Sequence, residues 1–255
     1  MKTIAFFGGS NQIGVGYPDG IASKDIYPNI IAEYGYNIEN YGIAGASLDE
    51  IFSTCLYQLT QSLPDIVLIE WNAFNRHRFH PAPTVDVFFA GSGVRLPSSW
   101  SHCLPIPNRQ LKLFQQVLML IDGDYHRIVT LLKYCEIIQN FCKLNNIELV
   151  MLNGGILWSK DLFNEYTSDS DLGLALSDSS KELLDFDNRD DNELLKLLSE
   201  LREHFSQLDP EQWVFIFENF PSLMVDQAPL DNHPGPKTMK IVADQVINFL
   251  EKKKL

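Results

Sequence analysis

The chain has 255 residues, 45% of them hydrophobic, and carries a formal net charge of −13 at pH 7. This length and apolar content predict a single domain spanning residues 1–255, with enough apolar residues for a full core. The acidic balance argues against nucleic acids and anionic membrane surfaces as partners, because both are negatively charged and would repel the chain.

Two further features bear on the cellular compartment. No apolar stretch approaches the roughly 18 residues that a membrane span requires, and the apolar run near Met1 is too short for the core of a signal peptide. The four cysteines show no CxxC spacing, which favours reduced thiols over a disulfide scaffold. We therefore expect a cytoplasmic protein that does not bind membranes.

In chain order, strand-like apolar runs alternate with helical patterns. The predicted strands cover residues 3–7, 37–41, 65–71, 147–152 and 213–217. The predicted helices cover residues 24–34, 47–63, 110–120, 125–144, 193–205 and 237–250. Ser47 and Glu50 have the spacing of a capping box at the start of the second helix. This alternation predicts an α/β fold, with a mainly parallel five-stranded sheet between two layers of helices.

Two segments interrupt the alternation. Residues from about 72 to 108 are rich in Pro, Gly, Ser and His and show little periodicity, which predicts a long loop insertion. Residues from about 161 to 191 are acidic and rich in Ser and Asp, which is typical of a solvated surface segment. The sequence has no internal repeat and no low-complexity linker, so we assign both segments to the single domain.

Ser10 lies in the sequence Gly-Gly-Ser-Asn at residues 8–11, directly after the first predicted strand. A strand followed by two glycines predicts a tight turn at the edge of the sheet, where backbone N–H groups can point at a ligand. His233 lies near the other end of the chain, in the sequence Asp-Asn-His-Pro-Gly at residues 231–235. If the fold brings them together, Ser10 can act as a nucleophile, His233 as its base and Asp231 as the group that orients the imidazole.

These motifs resemble the sequence blocks of the SGNH/GDSL hydrolases, a superfamily of esterases, lipases and carbohydrate acyl esterases. Residues 8–11 are similar to the nucleophile block, with Gly9 in place of the usual Asp before the serine. Residues 40–47 are similar to the block that supplies an oxyanion-hole glycine, and Gly45 is the matching position. Residues 231–235 are similar to the block of the catalytic histidine, with one residue instead of two between the Asp and the His.

The third block of the family ends a strand in Gly-x-Asn-Asp, and its Asn donates to the oxyanion. This chain has Glu-Trp-Asn-Ala-Phe-Asn-Arg at residues 70–76. We favour Asn75 as the counterpart, because the Asn-Arg pair there most nearly takes the place of Asn-Asp, with Asn72 as the alternate. The resemblance implies a flavodoxin-like three-layer α/β/α sandwich. It also implies an oxyanion hole formed by the N–H groups of Ser10 and Gly45 and one of these Asn side chains.

Several weaker patterns suggest other chemistry. His77, His80 and His102 could bind a metal, but histidines in an irregular segment usually do not. The Asp pairs between residues 169 and 187 lack the glycine and the closing glutamate of a calcium loop. The glycines between residues 14 and 20 differ from a dinucleotide-binding fingerprint, because they do not open a helix directly after a strand. We therefore predict no metal and no cofactor.

The sequence thus predicts a serine esterase that hydrolyses a carboxylic ester of a small molecule or a carbohydrate. An O-acetyl group on a sugar is the substrate class that the resemblance implies. Two alternatives stay open: the same site could transfer an acyl group to a carbohydrate hydroxyl, or the fold could serve as a non-catalytic binding module. The departures at Gly9 and in the third block would suit the binding module. A nucleotide-binding protein of similar architecture is a more distant alternative.

Overall fold

The described residues of the computed structural model form a five-stranded parallel sheet with helices and a three-stranded antiparallel sheet. They are residues 1–71, 76–82, 85–90, 93–94, 124–152, 191–214, 225–231 and 233–254. The strands are β1 (Thr3–Phe7), β2 (Asn37–Asn40), β3 (Ile66–Glu70), β4 (Arg76–Ala82), β5 (Val85–Ala90), β6 (Gly93–Val94), β7 (Glu148–Leu152) and β8 (Trp213–Val214). The α-helices are α1 (Tyr27–Ala32), α2 (Leu48–Gln61), α3 (Asp124–Leu144), α4 (Asp191–Ser206) and α5 (Pro236–Lys252).

The parallel sheet has the strand order β2-β1-β3-β7-β8. Counted by their succession within this sheet, the strands follow the order 2-1-3-4-5, which is that of flavodoxin-like folds. The order reverses between β1 and β3, which pair in register from Ile4 with Ile66 to Phe7 with Ile69. Ligands of such sheets bind outside the carboxyl ends of the strands at this reversal. A site is therefore expected among the residues that directly follow β1 and β3.

Side chains of the parallel sheet alternate between two apolar cores, one on each face. Toward one face, Phe7, Ile69 and Met151 pack with buried residues of α2, α3 and α4. Toward the other face, Phe6 and Leu68 pack with buried residues of α1 and α5. Helices therefore cover both faces of the sheet, which confirms the three-layer α/β/α sandwich that the sequence predicts.

Local signals set the helix ends near the sheet edge. The capping box of α2 is present: Ser47 Oγ accepts the Glu50 N–H at 3.3 Å, and the Ser47 N–H donates to Glu50 Oε2 at 3.0 Å. Helix α1 is shorter than the predicted helix at 24–34. It begins beside Pro28, whose fixed φ suits the first turn of a helix. After its end at Ala32, the Gly35 N–H donates to the Ala32 carbonyl at 3.0 Å, and the φ of Gly35 is +91°. This positive φ favours glycine.

The predicted loop insertion at about 72–108 is wrong for residues 76–82, 85–90 and 93–94, which form strands. Strands β4, β5 and β6 pair there as an antiparallel sheet with the order β4-β5-β6. The sequence of β4 hides the strand, because it begins with the polar run Arg-His-Arg and contains Pro81, which cannot donate to a ladder. Proline is tolerated in β4 because it is an edge strand in that order. The Val- and Phe-rich sequence of β5 is the signal that could have revealed the hairpin.

Other predicted segments lie outside the described residues. These are the helix at 110–120, the end of the strand at 213–217, and most of the acidic segment at about 161–191. The last residue of that segment, Asp191, is described and begins α4. The single domain spanning residues 1–255 therefore stays a prediction. In the part of the chain that is described, no helix is long and apolar enough to cross a membrane. Cys55, Cys135 and Cys142 are buried free thiols.

Candidate active site

A tight turn carries Ser10 away from the end of β1. Within the turn, the N–H of Gln12 donates to the Gly9 carbonyl at 3.2 Å. A Cβ atom on Gly8 would lie 2.6 Å from Gln12 Nε2 and 2.9 Å from the Cβ atom of Glu70, which is too close for either contact. Gly8 is therefore required for the turn to pack against the end of β3. The turn places the half-buried Ser10 at the reversal in strand order.

The fold brings Ser10 and His233 into hydrogen-bond contact across 223 positions of the chain: Ser10 Oγ lies 3.0 Å from His233 Nε2. On the other side of the ring, His233 Nδ1 lies 2.8 Å from Asp231 Oδ2. An ionised carboxylate only accepts hydrogen bonds, so we assign the ring proton to Nδ1, which leaves Nε2 to accept from the Ser10 hydroxyl. The contacts therefore run in the order of a Ser-His-Asp triad.

Asp231 holds the main chain of His233 as well as its ring. Asp231 Oδ1 accepts the backbone N–H of His233 at 2.8 Å, the pattern of an Asx turn, in which a carboxylate bonds the backbone two residues on. The spacing of one intervening residue is therefore sufficient for an orienting carboxylate. The side chains of His233 and Asp231 are 31% and 36% exposed, so solvent reaches the pair.

We expect Asp231→Asn to lower kcat/KM on a p-nitrophenyl ester by about 10²- to 10⁴-fold. The amide offers one acceptor where the carboxylate offers two, so it cannot hold both the backbone N–H and the Nδ1 proton of His233. Steady-state kinetics with a thermal-denaturation check of folding measure the effect. Asp244→Asn on the partly exposed face of α5 is the matched control and keeps the parent value. A folded Asp231→Asn variant with parental kcat/KM would contradict the orienting role.

Backbone hydrogen bonds close the base of the turn that carries Asp231 and His233. The N–H of Ala228 donates to the His233 carbonyl at 2.8 Å, and the N–H of Gly235 donates to the Asp226 carbonyl at 3.0 Å. Directly after this closed turn, the chain enters α5. The position of the imidazole is thus coupled to the start of that helix.

Asp226, which the sequence analysis did not single out, anchors the turn to the first turn of α5. Its Oδ2 accepts the Lys237 N–H at 2.9 Å, and its Oδ1 accepts the N–H and the hydroxyl of Thr238 at 2.9 and 2.8 Å. Burial by itself raises the pKa of the Asp226 carboxyl. The Lys237 and Thr238 hydrogen bonds outweigh burial, and the pKa is lowered from its ordinary value. A charged carboxylate at this position stabilises the N-terminus of the helix.

We expect Asp226→Asn to lower the free energy of unfolding by about 1–2 kcal/mol at neutral pH, because an amide cannot accept all three hydrogen bonds. The lowered pKa sets the pH dependence. The contribution of the carboxylate is fully present above its ordinary pKa of 3.8 and is lost as the pH falls through the lower pKa of the folded state. In urea titrations the difference in the free energy of unfolding between parent and variant should therefore become smaller below about pH 4. A difference that does not change on acidification would contradict a charged anchor.

Gly16 makes room for Asp231. Its φ is +89°, and a Cβ atom there would lie 2.1 Å from Asp231 Oδ1. Its carbonyl accepts the Leu230 N–H at 2.9 Å. Next to it, the Tyr17 hydroxyl donates to the Pro234 carbonyl at 2.8 Å. Burial raises the pKa of Tyr17, so the hydroxyl remains a donor. The glycine-rich segment at 14–20 therefore packs against the turn that carries His233, a contact that spacing alone did not reveal.

We expect Gly16→Ala to lower kcat/KM about 10-fold or more, because the new methyl group displaces the Asp231 carboxylate and with it the imidazole. Gly35→Ala is the matched control. Its φ of +91° imposes similar backbone strain, but nothing lies within 4 Å of the added Cβ atom. Both variants should lose stability, and Gly16→Ala alone should lose activity in steady-state assays. Equal kcat/KM values in the two variants would contradict the close approach of Gly16 to Asp231.

The loop between β2 and α2, which carries Gly45, is fastened to the turn that carries Ser10. Asn40 Nδ2 donates to the Gln12 carbonyl at 2.6 Å, and Asn40 Oδ1 accepts the Gly42 N–H at 3.0 Å. One amide side chain thus bonds both segments. The nucleophile turn and the loop of the predicted oxyanion-hole glycine therefore share one edge of the sheet.

The predicted oxyanion donors are described only in part. The backbone of Ser10 follows β1, and Gly45 has a φ of +70° in the loop before α2. Asn75 and Asn72 lie outside the described residues. An oxyanion hole formed by these groups stays a prediction.

The metal alternative has no support in the part of the chain that is described. Within those residues, no group of three or more His, Cys, Asp or Glu side chains is arranged to hold a metal ion. His77 and His80 lie on β4, whereas His102 and the Asp pairs between 169 and 187 lie outside the described residues.

Comparison with known proteins finds solved structures of ester hydrolases. A putative lipolytic protein of the G-D-S-L family from Desulfitobacterium hafniense DCB-2 is 11% identical, with 98% of this chain and 100% of that chain covered and a TM-score of 0.48. The acetylxylan esterase Axe2 from Geobacillus stearothermophilus is 10% identical, with 98% and 94% covered and a TM-score of 0.46. No protein-family model and no curated protein matches the chain.

Proposed function

We propose that this protein is a serine esterase of the SGNH/GDSL type. The observation that carries the proposal is the contact of 3.0 Å between Ser10 Oγ and His233 Nε2, with Asp231 on the opposite ring nitrogen. A hydroxyl, a base within hydrogen-bond reach and a group that orients the base are the parts that nucleophilic acyl transfer requires. Their position at the reversal of strand order, where such sheets bind ligands, supports the same conclusion.

In the proposed reaction, Ser10 Oγ attacks the carbonyl carbon of the ester while His233 Nε2 takes the hydroxyl proton. Collapse of the tetrahedral intermediate breaks the bond to the alcohol oxygen, which leaves with the proton from His233. The acyl group is then bound to Ser10 as an ester. His233 next takes a proton from water, the hydroxide attacks the acyl carbon, and the released Ser10 oxygen recovers a proton from the imidazolium.

The other predicted groups support this scheme. Asp231 keeps the Nδ1 proton in place and stabilises the imidazolium that forms in both steps. The N–H groups of Ser10 and Gly45, with the side chain of Asn75 or Asn72, stabilise the negative charge on the tetrahedral oxygen. One such donor is typically worth about 3 kcal/mol in the transition state. The proposed chemistry uses no metal and no cofactor.

A short acyl group, such as O-acetyl on a carbohydrate, is the proposed substrate class, and it follows from the family resemblance. The test is a panel of p-nitrophenyl esters of increasing acyl length, together with acetylated xylo-oligosaccharides. We expect saturable hydrolysis with the highest kcat/KM on the acetyl ester. Hydrolysis that increases with acyl length would contradict the short acyl group. If no ester were hydrolysed above a denatured control, the esterase assignment would be wrong.

Acyl transfer to a carbohydrate hydroxyl is the second candidate, and the partial exposure of His233 is compatible with it. An acceptor hydroxyl can reach the imidazole from solvent just as water does. Product analysis with acetyl donor and sugar acceptor present separates the two: free acetate indicates a hydrolase, and acetylated sugar indicates a transferase. The third possibility, a non-catalytic binding module, is disfavoured by the hydrogen-bonded order of Ser10, His233 and Asp231.

A further inference from the structure

Glu70 is a buried acid beside the proposed active site that the reaction scheme does not use. It is the last residue of β3, and only 1% of its surface is exposed. Its Oε1 accepts a hydrogen bond from Asn11 Nδ2 at 2.7 Å, and its Oε2 accepts one from the Tyr27 hydroxyl at 2.7 Å. These partners come from two other segments of the chain, 59 and 43 positions away. Glu70 therefore joins the end of β3 to the turn after β1 and to α1.

Both hydrogen bonds depend on a side chain with two acceptors. Tyr27 is fully buried, and burial, followed by the charge of Glu70, raises its pKa well above the ordinary value. Its hydroxyl therefore stays protonated and donates. The Asn11 side chain also donates, because its contacting atom is the amide nitrogen Nδ2, which carries hydrogens and cannot accept. Hydrogen bonds from neutral donors to a buried carboxylate are short and strong, which matches both distances.

The Asn11 end of this network lies one residue after Ser10. The turn that joins β1 to Ser10 and Asn11 also packs directly on Glu70. A Cβ atom on Gly8 would lie 2.9 Å from the Glu70 Cβ atom. The turn is thus held by packing at Gly8 and by the hydrogen bond at Asn11. Both contacts end on Glu70, which neighbours the reversal in strand order.

We propose that Glu70 is a positioning residue that holds the Ser10 hydroxyl in reach of His233 by acting through Asn11. It does not touch the reacting atoms. The inference rests on the proposed function, because the position of Ser10 matters for rate only if Ser10 is the nucleophile. A displacement of about 1 Å in a reacting group can cost about 100-fold in rate, so loss of this support should be visible in kinetics.

The experiment measures the second-order rate of Ser10 labelling by a fluorophosphonate, with kcat and KM on p-nitrophenyl acetate. The variants are Glu70→Gln, Asn11→Ala and the double variant. Glu70→Gln keeps the volume but replaces one acceptor by a donor. We expect each single variant to slow labelling and kcat by about 10- to 100-fold with KM nearly unchanged. The double variant should be no slower than Asn11→Ala, because Glu70 acts through that side chain.

Ile66→Val is the control for loss of stability without loss of position. Ile66 is buried at the other end of β3, so this variant should have a lower Tm and parental labelling. If Glu70→Gln does not fold, the labelling rate of Asn11→Ala alone tests the positioning role. Parental labelling in a folded single variant, or rate losses that multiply in the double variant, would overturn the inference. Absence of labelling in the parent would instead overturn the proposed function, and the inference with it.

Discussion

Ser10→Ala should lower kcat/KM on p-nitrophenyl acetate by about 10⁴-fold or more, because the variant has no oxygen to form the acyl-enzyme. The change removes a half-buried hydroxyl whose described side-chain contact is the His233 ring at 3.0 Å, so the fold should be retained. Initial-rate kinetics at several enzyme concentrations, with a thermal melt of the same preparation, measure both properties.

Ser53→Ala is the matched control for this substitution. Ser53 lies on α2, and its hydroxyl donates to the Glu50 carbonyl at the protein surface. This variant loses a serine hydroxyl without touching the proposed site and should retain the parental kcat/KM. A folded Ser10→Ala protein that hydrolyses the ester as fast as Ser53→Ala would show that Ser10 is not the nucleophile.

His233→Ala should cause a loss of similar size, and the double variant Ser10→Ala/His233→Ala should lose no more than either single variant. The reason is that the imidazole acts on the ester only through the Ser10 proton. Once either residue is removed, removal of the other should lower the rate no further. Groups that act as one unit show this non-additivity, and each single loss can reach about 10⁶-fold. Steady-state rates of the three variants, compared on a logarithmic scale, measure it.

His204→Ala on α4 is the corresponding control and should behave as the parent. Rate losses of Ser10→Ala and His233→Ala that multiply in the double variant would mean that the two residues act independently. That outcome would contradict the hydrogen-bonded pair as the origin of activity.

Much of the central fold could be predicted from the sequence, because the determining signals are local. The apolar run before Gly8, the capping box at Ser47 and the alternation of strand and helix patterns each depend on residues within one turn or one strand. The pairing of Ser10 with His233 was predicted from motif order, and the contact in the structure agrees with it. The one-residue spacing between Asp231 and His233 differs from the family's, and in the structure the Asp231 carboxylate contacts both the ring and the backbone N–H of His233.

The remaining features depend on contacts between distant segments, which a single sequence does not specify. Gly16 matters because Asp231 approaches it across 215 positions, and Glu70 matters because Asn11 and Tyr27 reach it from two other segments. Asp226 precedes α5 by ten positions and caps it through a turn that only the folded chain forms. Strand β4 was missed for a different reason, since Pro81 and its charged residues conceal an edge strand.

Labelling with a fluorophosphonate, followed by mass-spectrometric mapping of the modified peptide, tests most directly whether Ser10 and His233 form one reactive pair. We expect a single phosphonyl adduct on Ser10 in the native protein, with no adduct after denaturation and none in His233→Ala. An unmodified Ser10 in native protein, or an adduct on Ser10 that still forms in His233→Ala, would contradict the claim that the two residues form one reactive pair.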